Sequence, residues 1–316
     1  MFFLTQYEIH LTLNSQTSTF PLTDTHAHLY WDRFDEDRDA VIARCTDFNV
    51  IRVLIPGTTV ETSLASVKLA ESHPNLFAAI GIHPTDALEW TDDTKDALQE
   101  MAMHPHPNLP PKGEGTVSPL RGEMSVGQRG AVVAIGEIGL DYYWDRAPHD
   151  VQKHVLEEQL SLAEELRLPV VLHLREKGDA LEGDCAVDLM KMLKKWHASL
   201  RSRENPLAER PGVLHSFSGT REIAEEAIAL GFMIGVTGPI TFKKMSQRRE
   251  MIASLPLEKI LIETDSPFLT PHPKRGKRNE PANVRFIAEK IAETHGKETR
   301  EIAEITTANA ARLFNW

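Results

Sequence analysis

Two imidazoles one residue apart, His26 and His28, stand in Thr23-Asp24-Thr25-His26-Ala27-His28-Leu29 at the end of a short apolar and polar run. On a strand, residues i and i+2 point to one face, so both rings reach a common point, as a strand end does when it grips a metal ion. Further ionisable residues recur in the same setting, at the ends of short apolar runs: His83, Glu137, His173, His215 and Asp265. His26, His28, His173 and His215, with Glu137 and Asp265, offer more donors than one ion takes. They suit two divalent ions about 3.5–4 Å apart, bridged by one carboxylate. Glu137, lying between the first His pair and the later histidines, is the expected bridge. Such a pair lowers the pKa of a bound water and stabilises both attacking and leaving oxygens, which matches phosphodiester hydrolysis. His83 precedes Pro84 and has three readings: ligand, phosphate contact or loop anchor. Asp265, before Ser266-Pro267, also fits a helix cap. A second His-x-His, His104 and His106, sits in a Pro-rich stretch with no carboxylate near and is read as carrying no function.

The elements that must gather these residues alternate along the chain. Apolar runs at Leu22–His26, Val50–Ile55, Leu76–Ile82, Val132–Ile135, Val170–Leu174, Gly212–Leu214, Phe232–Val236 and Lys259–Ile262 read as strands, most of them buried. Helical spacing follows each run: Asp37–Phe48, Thr62–Ser72, Asp92–Met103, Val151–Arg167, Asp184–Ser199, Thr220–Leu230, Met245–Ser254, and Ala282–His295 with Thr299–Phe314. Eight strand–helix units predict an α/β protein, a single-domain (β/α)8 TIM-type barrel over residues 21–316. The first strand lacks the glycine-rich turn of a dinucleotide fold. Three regions break the rhythm: an N-terminal extension at 1–20, a low-complexity insert at His104–Gly130, and a charged Pro-containing segment at Leu200–Pro211. All three precede strands. In a barrel such connections lie on the face opposite catalysis, so they are expected to be dispensable for chemistry.

Composition narrows the partners. With 41% hydrophobic and 26% charged residues the chain can bury a large core, and no run reaches the about 18 apolar residues that span a bilayer. The opening Met1-Phe2-Phe3-Leu4 lacks basic residues and makes a poor secretory signal. Cys45 and Cys185, far apart, argue against a disulfide framework, so a cytoplasmic location is expected. A net charge of −11 excludes a general basic coat for nucleic acid, leaving a local patch or metal ions to bind it. One patch exists: Pro273-Lys274-Arg275-Gly276-Lys277-Arg278-Asn279, after the eighth strand, where Lys274, Arg275, Lys277 and Arg278 are expected to hold flanking phosphates. Phe217, Phe242 beside Lys243-Lys244, and Tyr142-Tyr143-Trp144 add aromatic surface on the same face, suited to stacking bases of a single strand. Arg175, two residues past His173, joins His83, Phe217, Lys274, Arg275 and Lys277 as an expected substrate contact.

Taken in order, the segments Asp24-Thr25-His26-Ala27-His28-Leu29, Gly81-Ile82-His83-Pro84 and Gly136-Glu137-Ile138-Gly139-Leu140-Asp141-Tyr142-Tyr143 form a specific series. Leu172-His173-Leu174-Arg175, Leu214-His215-Ser216-Phe217-Ser218-Gly219, Glu263-Thr264-Asp265-Ser266-Pro267-Phe268-Leu269 and Arg275-Gly276-Lys277-Arg278-Asn279-Glu280-Pro281 continue it. The chain thereby resembles the TatD family of metal-dependent deoxyribonucleases, a branch of the amidohydrolase-like barrels. The resemblance implies hydrolysis of DNA, in some members as a 3′ exonuclease on single-stranded or damaged ends, with divalent metal ions such as Mg, Mn or Zn. It implies that His26, His28, Glu137 and Asp265 hold one ion and Glu137, His173 and His215 the other, with Asp265 orienting or deprotonating the attacking water. A monomer with no obligate protein partner is expected. Two rivals remain: a small-molecule amidohydrolase or lactonase using the same two metals, and a scaffold that keeps the ligands without turnover. Small-molecule barrels of this kind often bridge their ions with a carboxylated Lys where this chain has Glu137, and the basic loop favours a polyanion.

Overall fold

Val, Ile and Leu dominate the runs read as strands, and side chains of this kind pack well on both faces of a pleated sheet. In the computed structural model, which describes residues 20–103 and 131–316, those runs form eight parallel strands hydrogen-bonded in chain order. They are β1 (Leu22–Asp24), β2 (Val50–Pro56), β3 (Leu76–Ile80), β4 (Val132–Asp141), β5 (Val170–Arg175), β6 (Gly212–Leu214), β7 (Met233–Val236) and β8 (Ile260–Ile262). Between them run α1 (Arg38–Asp47), α2 (Val60–Ser72), α3 (Asp92–Met103), α4 (His149–Leu166), α5 (Asp184–Ser202), α6 (Arg221–Ala229) and α7 (Ser246–Ser254). The chain closes with α8 (Val284–His295) and α9 (Thr299–Phe314). The fold is a (β/α)8 barrel.

Closure falls at the functional mouth. Past the last residues of β1 and β8, Thr25 N donates to Ile262 O, Asp265 N to His26 O and His28 N to Ser266 O, at 3.2, 2.8 and 2.7 Å. The two edges are therefore joined through the segments that carry His26, His28 and Asp265. Along the strands, alternate residues separate into two cores. Leu76, Ala78 and Ile80 of β3 join the larger one with the helices, while Phe77 and Ala79 face a smaller cluster with Leu54, Val133, Val171 and Leu261. Leu313 and Phe314 of α9 belong to that smaller cluster, and the Trp316 ring packs 4.7 Å from Phe77. The end of the chain thus plugs the amino-terminal mouth and leaves the carboxyl-terminal one for chemistry.

Three expectations need correction. β4 runs to Asp141, well beyond Ile135, because Gly136 and Gly139 interrupt the apolar run without interrupting the strand. Each permits a close approach to β5: a Cβ on Gly136 would lie 2.6 Å from Val171 Cβ, and one on Gly139, at φ +140°, would lie 2.1 Å from His173 O. Between Ile135 and Ile138 the β4–β5 register slips, so that β4 spends one extra residue beside Glu137.

The second correction concerns Leu200–Pro211, which is part of the packed barrel. α5 continues to Ser202, with Cys185, Leu189, Leu193, Trp196 and Leu200 repeating every three or four residues on one buried face. A 3-10 turn, Pro206–Glu209, then buries Leu207 completely and offers Ala208 O to His197 Nε2 at 3.1 Å, while Arg210 reaches Leu313 O. The third is minor: β1 stops at Asp24, so His26 and His28 follow the strand rather than end it. The extension at 1–20, Phe20 apart, and the insert at His104–Gly130 with His104 and His106 lie outside the described residues. Because Leu207 fills an interior position, Leu207→Ala is expected to cost about 2–5 kcal/mol of unfolding free energy, measured by denaturant titration. An unchanged midpoint would return 200–211 to the status of a surface insert.

Candidate metal centre

Each of the seven ionisable residues noted at the run ends reaches the carboxyl-terminal mouth. Glu137, in the slipped part of β4, is 3% exposed and stands at the centre. Its two oxygens face different partners. Oε2 lies 3.3 Å from His26 Nε2 and 3.7 Å from His28 Nε2. Oε1 lies 2.8 Å from both His173 Nδ1 and His215 Nε2, and 3.4 Å from His83 Nε2. Asp265 closes the first group, its Oδ1 3.4 Å from His28 Nε2 and 3.8 Å from His26 Nε2. Asp265 faces imidazoles and no helix begins behind it, so the cap reading fails; the next backbone bond is a turn from Phe268 N to Asp265 O.

Hydrogen bonds behind the rings decide which nitrogen looks inward. His28 Nδ1 donates to Pro56 O at 3.2 Å, which leaves the Nε2 lone pair for the centre. His173 Nε2 is engaged by Asp141 Oδ2 at 2.9 Å, leaving Nδ1 toward Glu137. His83 differs. Its Nδ1 lies 2.7 Å from Thr85 Oγ1 and 3.2 Å from Thr85 N, so Thr85 holds that side of the ring and Nε2 faces the mouth. Ligand and phosphate contact both remain open to His83, whose Nε2 stands 3.4 Å from Glu137 Oε1.

The residues fit divalent metal. His26 and His28 Nε2 lie 3.2 Å apart beside the same carboxylate oxygen, an approach of two lone pairs that only a shared cation or a proton relieves. His26 Nδ1 and His215 Nδ1, on the far sides of their rings, are buried without a hydrogen-bond partner. Two sets of donors lie close enough to share an ion, His26 with His28 and Glu137, and His83 with Glu137 and His173. Imidazole and carboxylate donors are those taken by Zn, Mn, Co and Fe.

Charge tells the same story. Burial alone would raise Glu137, yet the imidazoles of His215, His83 and His173 hold it well below the usual carboxylate range. Asp265 and Asp141 are likewise lowered against burial, by His28 and His173 respectively. Burial pulls His26 down to about 4, with His215 beside it adding to the effect. For His173 burial is outweighed by Asp141 and Glu137, which lift it to about 9. His28 is lifted too, against burial, by Tyr30, Asp265 and Glu137. Three clustered carboxylates demand positive charge, and protons on imidazole supply it where no metal does.

Two buried carboxylates support the ligands from behind. Asp24 accepts from His26 N at 3.2 Å and from Thr264 N and Oγ1 at 2.8 and 2.6 Å, and burial pushes it up to about 8. Glu263 accepts from Thr25 Oγ1 at 3.1 Å and from Ser216 N, and its Oε1 lies 3.9 Å from His215 Nδ1. Sequence reading assigned no role to Asp24, Asp141 or Glu263. Asp141 left a signal, an even number of residues after Glu137 on one strand.

The expected substrate contacts divide. Lys274, Arg275 and Lys277 are exposed, and Arg275, Lys277 and Arg33 line a cleft of about 630 Å³ with Phe242 and Thr270. Among the described residues no acidic side chain pairs with these three loop cations. Arg278 lines the same cleft, and Asp37 also takes both its terminal nitrogens at 2.7 Å, so it ties the loop to the α1 entrance as well. Phe217 is corrected, being 4% exposed and part of the core rather than a stacking surface. Tyr142 is buried, its hydroxyl donating to Asp188 at 2.7 Å. Arg175 stays at the mouth, paired with Asp179 at 2.8 Å.

A parallel eight-stranded barrel with imidazoles and carboxylates gathered at its carboxyl-terminal mouth defines a metal-dependent hydrolase. The chain belongs to the TatD family: the model described as TatD related DNase matches residues 23–315. It is 37% identical to the uncharacterized metal-dependent hydrolase YabD of Bacillus subtilis (strain 168), covering 93% of this chain and 98% of that protein. It is 32% identical to the 3′-5′ ssDNA/RNA exonuclease TatD of Escherichia coli (strain K12), covering 92% and 98%. Among solved structures, the TatD homologue YjjV of Escherichia coli K12 superposes with a TM-score of 0.74 at 30% identity, over 93% of this chain and 98% of that one.

Because the raised His28 and His173 hold protons that an ion must displace, adding Mn to metal-free protein in weak buffer at neutral pH is expected to release protons. The apparent affinity should rise with pH through about 9, where His173 titrates, to about 10, where His28 does. Binding without proton release would show that the ion sits elsewhere.

Proposed function

We propose that this hydrolase is a two-metal 3′–5′ exonuclease of single-stranded nucleic acid, with DNA as its substrate. One observation carries the reading: the two oxygens of Glu137 serve two separate groups of imidazoles. His26, His28, Glu137 and Asp265 would hold one ion, and Glu137, His173 and His215 the other. When bound, such a pair acidifies a water and neutralises charge on the phosphodiester.

The side chains divide the remaining work. His83, Asp265 and His173 are the most open members of the centre, their side chains 13, 15 and 16% exposed, and so they meet substrate and water. Asp265 Oδ1 accepts the proton of the attacking water, a role open to a carboxylate kept anionic by its neighbours. His83 Nε2–H donates to a phosphate oxygen. Lys274, Arg275 and Lys277 hold phosphates farther along the strand, as point charges and, for Arg275, as a planar fork. Among the described residues no helix is long and apolar enough to cross a membrane, and both cysteines are buried free thiols. Unpaired thiols support a place in the cytoplasm.

The test is hydrolysis of a 5′-labelled single-stranded oligonucleotide by chelator-stripped protein with Mg or Mn restored. A ladder shortening from the 3′ end is expected, with Glu137→Ala slower by about 100-fold or more. Metal-loaded, folded protein that leaves the oligonucleotide intact but cleaves a small carboxylic ester or amide would replace this reading with a small-molecule hydrolase.

A further inference from the structure

The loop after β4 carries side chains that the metal centre does not use. Tyr143 and Trp144 are 36 and 46% exposed, their rings meeting edge-on at 4.8 Å. Two cations lie over them. The Arg175 guanidinium is 3.7 Å from the Tyr143 ring centre and 5.8 Å from that of Trp144, and Arg146 is 5.8 Å from Trp144. Asp179 fixes Arg175 at 2.8 Å. Aromatic faces beside guanidinium groups match a nucleobase flanked by phosphate, because every base has a π face and every linkage a negative charge.

This surface is fastened to the centre. Asp141 Oδ1 accepts from both Tyr143 N and Trp144 N at 2.9 Å, and its Oδ2 meets His173 Nε2 at 2.9 Å. One buried carboxylate therefore sets the position of a proposed ligand and of the aromatic pair. Arg175 lies two residues past His173 on β5, on the same side of the strand. The cleft of Arg33, Arg275 and Lys277 follows β1 and β8 instead, the opposite side of the ring of strands.

We propose that Tyr143, Trp144, Arg175 and Arg146 form a nucleobase-stacking subsite for the 3′-terminal part of the strand, resting on the exonuclease reading above. The bases of the terminal nucleotides lie on the aromatic pair across β4 and β5, while the upstream phosphates cross the mouth to the basic cleft. Asp141 acts as a positioning residue. Recognition of this kind tolerates any base sequence.

The test compares two single-stranded oligonucleotides of equal length and charge, one complete and one with abasic residues through its 3′-terminal stretch, cleaved by the metal-loaded full chain. Wild-type protein is expected to show a KM about 10-fold lower for the complete strand. In Trp144→Ala, and separately in Tyr143→Ser, that ratio is expected to fall toward one. Equal KM values in wild-type protein, or a ratio that survives both substitutions, overturn the subsite and leave the exonuclease reading standing. Wild-type protein that cleaves neither strand overturns that reading and the subsite with it.

Discussion

A carboxylate buried in a barrel mouth is tolerated only if it is paired on every side, and Glu137 is the carboxylate on which this structure turns. Its anion survives burial because imidazoles approach both oxygens, and no one strand supplies them all. His26 and His28 follow β1, His83 follows β3, His173 lies on β5 and His215 follows β6. Only a closed parallel barrel brings those strand ends to one point. The local backbone is shaped to the same end: the slip in the β4–β5 register aims Glu137 inward, and Gly136 lets β5 come close enough to deliver His173.

The concentration of charge has a structural cost, and the surrounding shell shows how it is met. Asp24, Glu263 and Asp141 are all buried, and each hydrogen-bonds backbone amides of segments that carry the centre: His26, Thr264, Ser216, Tyr143 and Trp144. These bonds fix loops by groups that are themselves immobile, so the geometry does not depend on long exposed side chains. Asn279 extends the same logic to the substrate side, donating to Thr264 O and Phe268 O at 2.9 and 2.7 Å and so anchoring the end of the basic loop to the segment after β8 that carries Asp265. Arg278, paired with Asp37, holds the loop from the other flank. The loop can then display Lys274, Arg275 and Lys277 without an acidic partner of their own.

Much of this was legible in the sequence because barrel chemistry is written at strand ends. Apolar runs alternating with helical spacing located all eight strands, and ionisable residues in or shortly after six of those runs named Glu137, the histidines and Asp265. What escaped depends on three-dimensional detail. Whether an aromatic faces solvent is not a property of its type: Phe217 and Tyr142 lie inside, whereas Tyr143 and Trp144 lie outside, though all four follow a strand. A cation near a site is equally ambiguous, since only the position of Asp37 shows that Arg278, a wall of the basic cleft, is also a brace. The run Val132–Ile135 fell short in its own way, because Gly136 and Gly139 interrupt its apolar pattern and are the condition for the strand's continuing. The charged composition of Leu200–Pro211 likewise hid two buried leucines, Leu200 and Leu207.

If Glu137 joins two metal positions, magnetic coupling between the ions reads it directly. Electron paramagnetic resonance of protein titrated with Mn should show two ions per chain whose spins are coupled in the wild type. In Glu137→Ala the coupling should vanish, and with it the affinity of both ions. In His28→Ala only the ion held with Asp265 should weaken, leaving one uncoupled Mn. A single ion per wild-type chain, or two ions coupled as strongly without Glu137, would contradict the account.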